Sequence, residues 1–152
     1  MMGDGQQQLQ QLSQELQALE AEIETQQSLV EDLQAEQVEI DEAVEAIGTL
    51  NSGDTVQVPL GGGAYVRAEV QDIDEVVVSL GGGYAAEQAE EDAVAALERK
   101  REALDDRIAE VKAEIAGLED ESDQLEQQAQ QMQQQLQQQQ MQQMQQPDED
   151  AE

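Results

Sequence analysis

The stretch VPLGGGAYVRAEV, Val58 to Val70, is followed twenty residues after its start by VSLGGGYAA, Val78 to Ala86. Both open on V-x-L-G-G-G, and both interrupt a chain otherwise rich in Gln, Glu, Ala and Leu. The residues around them favour strands, in runs at 56–60, 64–70 and 76–80 and a weaker one at 84–88. Val56, Val58 and Leu60 alternate with Gln57 and Pro59, the period of a half-buried strand. Gly61, Gly62 and Gly63 separate the first two runs, and Gly81, Gly82 and Gly83 the last two. A Gly-rich connection of three residues suits a tight hairpin, whose turn needs positive φ. The pattern therefore predicts two β-hairpins in tandem, joined through QDIDE at 71–75. The turn cluster NSGD at 51–54 stops the helical tract before them.

Phosphate binding is the competing reading of the glycines. A P-loop needs G-x-x-x-x-G-K-[ST], and no Lys follows either triplet. The dinucleotide pattern G-x-G-x-x-G also fails, because GGGAYV lacks the last Gly and leads into a strand. The glycines are read as turn residues.

On either side of the hairpins the apolar rhythm changes to three-four. Leu9, Leu12, Leu16, Leu19, Ile23, Gln26, Val30, Leu33, Gln37, Ile40, Val44 and Ile47 form one heptad series, broken by Gln26 and Gln37. Val94, Leu97, Arg101, Leu104, Ile108, Val111, Ile115, Leu118, Ser122, Leu125, Ala129, Met132 and Leu136 form the second, broken by Arg101 and Ser122. A seven-residue repeat kept this long predicts a left-handed coiled coil. Gly117 lies off the stripe and costs about 1 kcal/mol of helix propensity. At 1.5 Å per residue each arm is about 60 Å long. Equal arms joined by a segment that reverses direction can pair antiparallel, which brings Leu9 and Leu12 near Met132 and Leu136. Pairing between chains satisfies the same rhythm.

Composition excludes several functions. The 152 residues suggest one domain. Lys and Arg number six against 36 Asp and Glu, a formal net charge of -30. All six bases lie between Arg67 and Lys112, too few for a phosphate-binding surface, so no nucleic-acid partner is expected. No apolar run is long enough to cross a bilayer, so no membrane partner is expected. MMGDGQQQ has neither a basic region nor an apolar stretch, so no secretory signal is expected, and the expected location is cytoplasmic. There is no Cys and no His. No catalytic residue, metal site or cofactor is expected, and the chain is read as no enzyme. The acidity is spread along the chain, with 12 acids and no base in the first 50 residues. In molar salt the Debye length falls to about 3 Å, which screens this self-repulsion. A halophile with a salt-filled cytoplasm is the preferred explanation, ahead of an acidic protein made for basic partners.

Two hairpins on long helices leave strand edges open. An isolated hairpin is marginal in water, and open edges pair with other chains. The strands are therefore expected to pair with those of other subunits and close a β-assembly. The assembly residues are Val56, Val58, Leu60, Gly61, Gly62, Gly63, Tyr65, Val66 and Val70 on the first hairpin. On the second they are Val76, Val78, Leu80, Gly81, Gly82, Gly83 and Tyr84.

The order helix, two hairpins, helix, with VQVPLGGGAYVRAEV and VVVSLGGGYAAEQAEEDAVAAL, resembles the prefoldin alpha family of archaea over nearly the whole chain. Two hairpins match its alpha type, whereas its beta type has one. The Gln-rich tract and the extreme acidity depart from commoner Lys-rich versions. The resemblance implies an α+β, mostly helical fold: a long antiparallel coiled-coil hairpin with two central β-hairpins that join an intersubunit β-barrel. It implies a single domain over 1–152, with helices at 6–50 and 89–142, hairpins at 54–88 and a disordered acidic tail at 143–152. It further implies an ATP-independent holdase subunit in a hexamer of two alpha-type and four beta-type subunits. Unfolded clients are bound at the coiled-coil tips and delivered to a group II chaperonin.

The residues assigned to client contact are Leu9, Leu12, Leu16, Met132, Leu136, Met141 and Met144. The first five belong to the seam series, so simple seam packing is their competing reading. The Gln-rich stretch 124–146 is read first as a frayed, low-complexity extension, ahead of direct client binding. A structural coiled-coil scaffold without client-holding activity is the alternative function. A plain scaffold has no need of hairpins that demand closure.

Overall fold

The structure, a computed structural model, describes residues 2–145. Its elements run α1 (Met2–Thr49), β1 (Thr55–Gly61), β2 (Ala64–Glu69), β3 (Val76–Gly81), β4 (Tyr84–Gln88) and α2 (Glu90–Gln145). Straight-chain Gln, Glu and Leu, with Ala, lose little entropy in a helix, which suits them to elements this long. Glu90, Glu91 and Asp92 occupy the first turn of α2, where negative charge complements the helix dipole. Of the expected 143–152 tail, residues 143–145 are helical, and the rest lies outside the described residues.

The end of α1 is locked by its turn cluster. The Leu50 N–H donates to the Ala46 carbonyl at 3.0 Å and the Thr49 hydroxyl to the same oxygen at 3.1 Å. Gly53 turns with φ 91°, and its N–H donates to the Val70 carbonyl at 2.7 Å. Val70 returns a bond from its N–H to the Asp54 carbonyl at 2.8 Å. The cluster thus clamps both ends of the first hairpin. The Ile73 N–H donates to the Ser52 hydroxyl at 3.1 Å, which ties the QDIDE connector to the same turn.

β1 pairs antiparallel with β2, with Val58 opposite Val66 and Gly61 opposite Ala64. β3 pairs antiparallel with β4, with Val78 opposite Ala86 and Gly81 opposite Tyr84. Each pair is a separate two-stranded sheet. The connection is one residue tighter than three glycines suggest. The turn proper is Gly62-Gly63 (φ 60° and 80°) or Gly82-Gly83 (φ 62° and 82°), both central residues in the positive region of a primed turn. The register shifts between Pro59 and Gly61 and between Ser79 and Gly81, so Leu60 and Leu80 are the extra, unpaired residues.

The chain divides into two compact units. One holds residues 31–109. Here the second hairpin packs on the start of α2: Val78, Ala93 and Ala96 are buried, with Val76 and Leu97 beside them. Small Ala side chains let β3 approach the helix closely. The first hairpin has no such cover. The half-buried alternation expected of β1 is absent, since Val58 and Leu60 are exposed. Of that alternating face only Val56 is half-buried.

In the same unit the helices meet at Ile40, Ile47 and Ile108, all buried, and at a polar layer. Buried Gln37 donates from Nε2 to Asp105 Oδ1 at 2.6 Å and to the Arg101 carbonyl at 3.2 Å. Arg101 Nε donates to Asp41 Oδ1 at 2.8 Å. Its guanidinium is held even more firmly protonated than usual, first by that hydrogen bond and then by the charge of Asp41. Two of the four polar breaks in the heptads, Gln37 and Arg101, therefore meet.

The other unit holds, of the described residues, 2–30 and 110–145. Val30, Val111 and Ser122 are buried in its seam, Val111 completely. Every other stripe position of both helices in this unit is half-buried, and the residues between are mostly exposed.

Exposed ion pairs contribute little and are screened further by salt, so Arg101→Gln is expected to change the melting temperature little in molar KCl. Gln37→Leu, which swaps a satisfied buried amide for an apolar knob, is expected to raise it while loosening register. Spin labels on Glu36→Cys and Glu102→Cys, introduced into a chain with no native Cys, report this as a broadened distance distribution.

Candidate functional site

Among the described residues, and apart from the isolated Val38, two surfaces present apolar groups to solvent. The first is the pair of hairpins. Val58, Leu60, Tyr65 and Val66 are exposed on the first, and Val77, Leu80 and Tyr84 on the second. Val76 and Val78 face α2 instead, and Val56 and Val70 are half-buried. Val77 is absent from the sequence-derived set. In a strand packed on one face, alternation turns it outward opposite Val78, a consequence visible only once the packed face is known.

The second surface lies where the first turns of α1 meet the last part of α2. Leu9, Leu12, Leu16, Met132 and Leu136 are all half-buried in the seam there. Met141 and Met144 stand outside it, 67% and 89% exposed. The structure therefore splits the seven expected contact residues into five seam residues and two free side chains. A groove of about 430 Å³ opens over the seam, lined by Gln8, Gln11, Leu12 and Glu15 of α1 and by Gln128, Gln131, Met132 and Gln135 of α2. Leu12 and Met132 are its half-buried apolar members, and the other six are exposed.

Gly5 was missed by the heptad reading. It lies four residues before Leu9, on the stripe, and a Cβ there would stand 2.8 Å from Leu136 Cδ2. Its lack of a side chain lets Leu136 lie against α1. The spacing was readable in the sequence, but a helical Gly does not register as a seam residue in a search for apolar side chains.

Among the described residues there is no group of three or more His, Cys, Asp or Glu placed to hold a metal ion. No described helix is long and apolar enough to cross a membrane. What these surfaces offer is apolar contact, open strand edges and primary amides.

The family model for the prefoldin subunit matches residues 5–146. The chain belongs to the prefoldin family. It is 70% identical to prefoldin subunit alpha of Halorubrum lacusprofundi over 112 residues, 74% of each chain. It is 57% identical to that of Haloarcula marismortui over 114 residues, 75% of this chain and 74% of the relative. Against Halobacterium salinarum the identity is 63% over 109 residues, 72% of this chain and 71% of the relative. The halophilic origin of these prefoldins fits the acidity read from the sequence. Among solved structures, a chain of filamentous PFD from Methanocaldococcus jannaschii matches with TM-score 0.64 and 29% identity, covering 72% of this chain and 93% of that one. Prefoldin is a chaperone family rather than an enzyme family, and its role is to hold unfolded polypeptides and deliver them to a chaperonin. The protein is accordingly a prefoldin-type chaperone subunit.

Exposure orders the methionines by reactivity. Limited peroxide is expected to convert Met144 and Met141 to sulfoxide well before Met132, as read by peptide mass spectrometry. Equal rates would mean that the seam is open at Met132.

Proposed function

We propose that the hairpins are the assembly surface of this chaperone subunit and that the far ends of α1 and α2 are its client-holding surface. The observation that carries the first half is the set of apolar side chains left exposed on β1 and β2, with Leu60 at 68% and Tyr65 at 61%. Exposed apolar groups beside open strand edges favour pairing with further strands. The partners proposed are beta-type prefoldin subunits, in a hexamer of two alpha-type and four beta-type chains whose strands close a barrel. All the residues assigned to assembly above serve this surface. Val76 and Val78 act from behind by seating the second hairpin on α2, and the glycines act by setting the turns.

Client contact is assigned to Leu9, Leu12, Leu16, Met132, Leu136, Met141 and Met144. Terminal helical turns lack hydrogen-bond partners, so the seam opens most easily at its ends. Met adapts to many shapes, which suits a site for varied unfolded chains. Several weak arms acting on one client add through effective concentration. Such a holder needs no nucleotide and no cofactor, and it passes its clients to a group II chaperonin in the cytoplasm. The scaffold reading shares the helices but requires no aggregation suppression.

The deciding experiment is native mass in molar KCl, with the chain alone and beside a one-hairpin subunit from the same cell. A complex of two copies with four partners is expected. A dimer indifferent to the partner would favour the scaffold. Leu60→Ser with Tyr65→Ser is expected to abolish the mixed complex while shifting the chain's own stability by no more than about 0.5 kcal/mol, the usual range for exposed positions. Removing both helix ends is expected to leave the complex intact and abolish suppression of client aggregation. Suppression that survives would overturn the tip assignment.

A further inference from the structure

The charge of this chain is not uniform. Residues 5–14 of α1 and 127–145 of α2 carry no ionisable side chain, in a protein with 36 acids. Gln fills six positions of the first segment and fourteen of the second. Helix formation does not require this choice, because Glu and Gln have nearly equal propensity. Solubility does not require it either, since the outer faces of the same helices elsewhere carry Glu and Asp. The neutral zone coincides with the groove over Leu12 and Met132, where Glu15, at the inner border, is the one carboxylate among the lining residues.

A primary amide differs from a carboxylate in two ways that matter at a contact surface. It donates as well as accepts, matching both groups of a peptide bond, whereas a carboxylate only accepts. It also does not repel an acidic ligand. With a Debye length of about 3 Å in molar salt, charge repulsion survives only at contact distance, which is where a held chain lies. Every unfolded polypeptide exposes backbone N–H and C=O groups that its folded form pairs internally.

We propose that this groove holds its client by the backbone: Gln8, Gln11, Gln128, Gln131 and Gln135 exchange hydrogen bonds with peptide groups of an extended, acidic segment. Leu12 and Met132 supply an apolar contact for one of its side chains. Recognition is then tolerant of client sequence and selective for the unfolded state. This rests on the client-holding reading of the helix ends and adds to it the chemical group that is read.

The test uses the full chain in complex with its one-hairpin partner, in molar KCl. The probe is a fluorescent extended peptide of Val, Ser and Asp, compared with the same peptide N-methylated at alternate residues. N-methylation removes donors and leaves the side chains in place. It is expected to weaken binding by about fivefold to about 150-fold, the loss of one to three hydrogen bonds. Changing the five glutamines together to Ala is expected to weaken the plain peptide and erase its advantage over the methylated one. Changing them to Glu is expected to weaken the plain peptide further. Equal binding of both peptides to the parent complex would overturn backbone reading while leaving the helix ends as an apolar holding site. If neither peptide binds, and Leu12→Ser with Met132→Ser suppresses client aggregation as the parent does, the client-holding reading of the groove falls as well.

Discussion

The structure rests on a single stripe of side chains along each helix. In each unit two helices face one another across that stripe, and no third helix backs it. Burial is therefore shallow: Val111 is the only large side chain fully removed from solvent among the described residues. The acids sit on the exposed faces, where they repel one another. Shallow apolar burial set against a formal charge of -30 places the fold at the mercy of ionic strength. Molar salt favours it twice, by screening the like charges and, with salting-out anions, by strengthening apolar burial.

The same shallow seam explains where polarity is tolerated. Gln37 occupies a seam position because Asp105 and the Arg101 carbonyl satisfy its amide. An unpaired amide there would cost the full penalty of desolvation. Such a layer stabilises less than Leu would, but it penalises slipped pairings of two helices whose repeats are otherwise interchangeable. A chain with so regular a rhythm has particular need of that penalty.

The two hairpins share a motif and a turn geometry, yet they play different parts. The second is seated on Ala93 and Ala96, which fixes it to the helix and turns Val77 outward. The first is clamped to the turn at Gly53 and Asp54 and keeps Val58, Leu60, Tyr65 and Val66 exposed. The far ends of the helices, neutral and rich in amides, differ from both. The groups exposed thus differ by segment: strand edges on the hairpins, carboxylates along most of the helices, and amides at residues 5–14 and 127–145.

Much of this was legible in residue order. Heptad spacing named the stripe positions from Leu9 to Ile47 and from Val94 to Leu136, because helical periodicity is a local property that needs no partner to be read. The Gly triplets marked the hairpins because positive φ is a demand on single residues. The tight Gly-Gly turn with its bulge at Leu60 was less visible, since three adjacent glycines do not reveal which two turn. Gly5 escaped because its contribution is room for Leu136. The bond between Gln37 and Asp105 joins residues 68 positions apart, and the sequence shows only a break at Gln37 and an acid off the stripe at Asp105. Which hairpin packs on α2 was likewise decided in space, where Ala93 and Ala96 admit β3 and nothing comparable meets β1. Sequence determined what each segment is, because propensity and periodicity act within a few residues. Tertiary structure decided which segments touch, because contact depends on register and distance that no local pattern encodes.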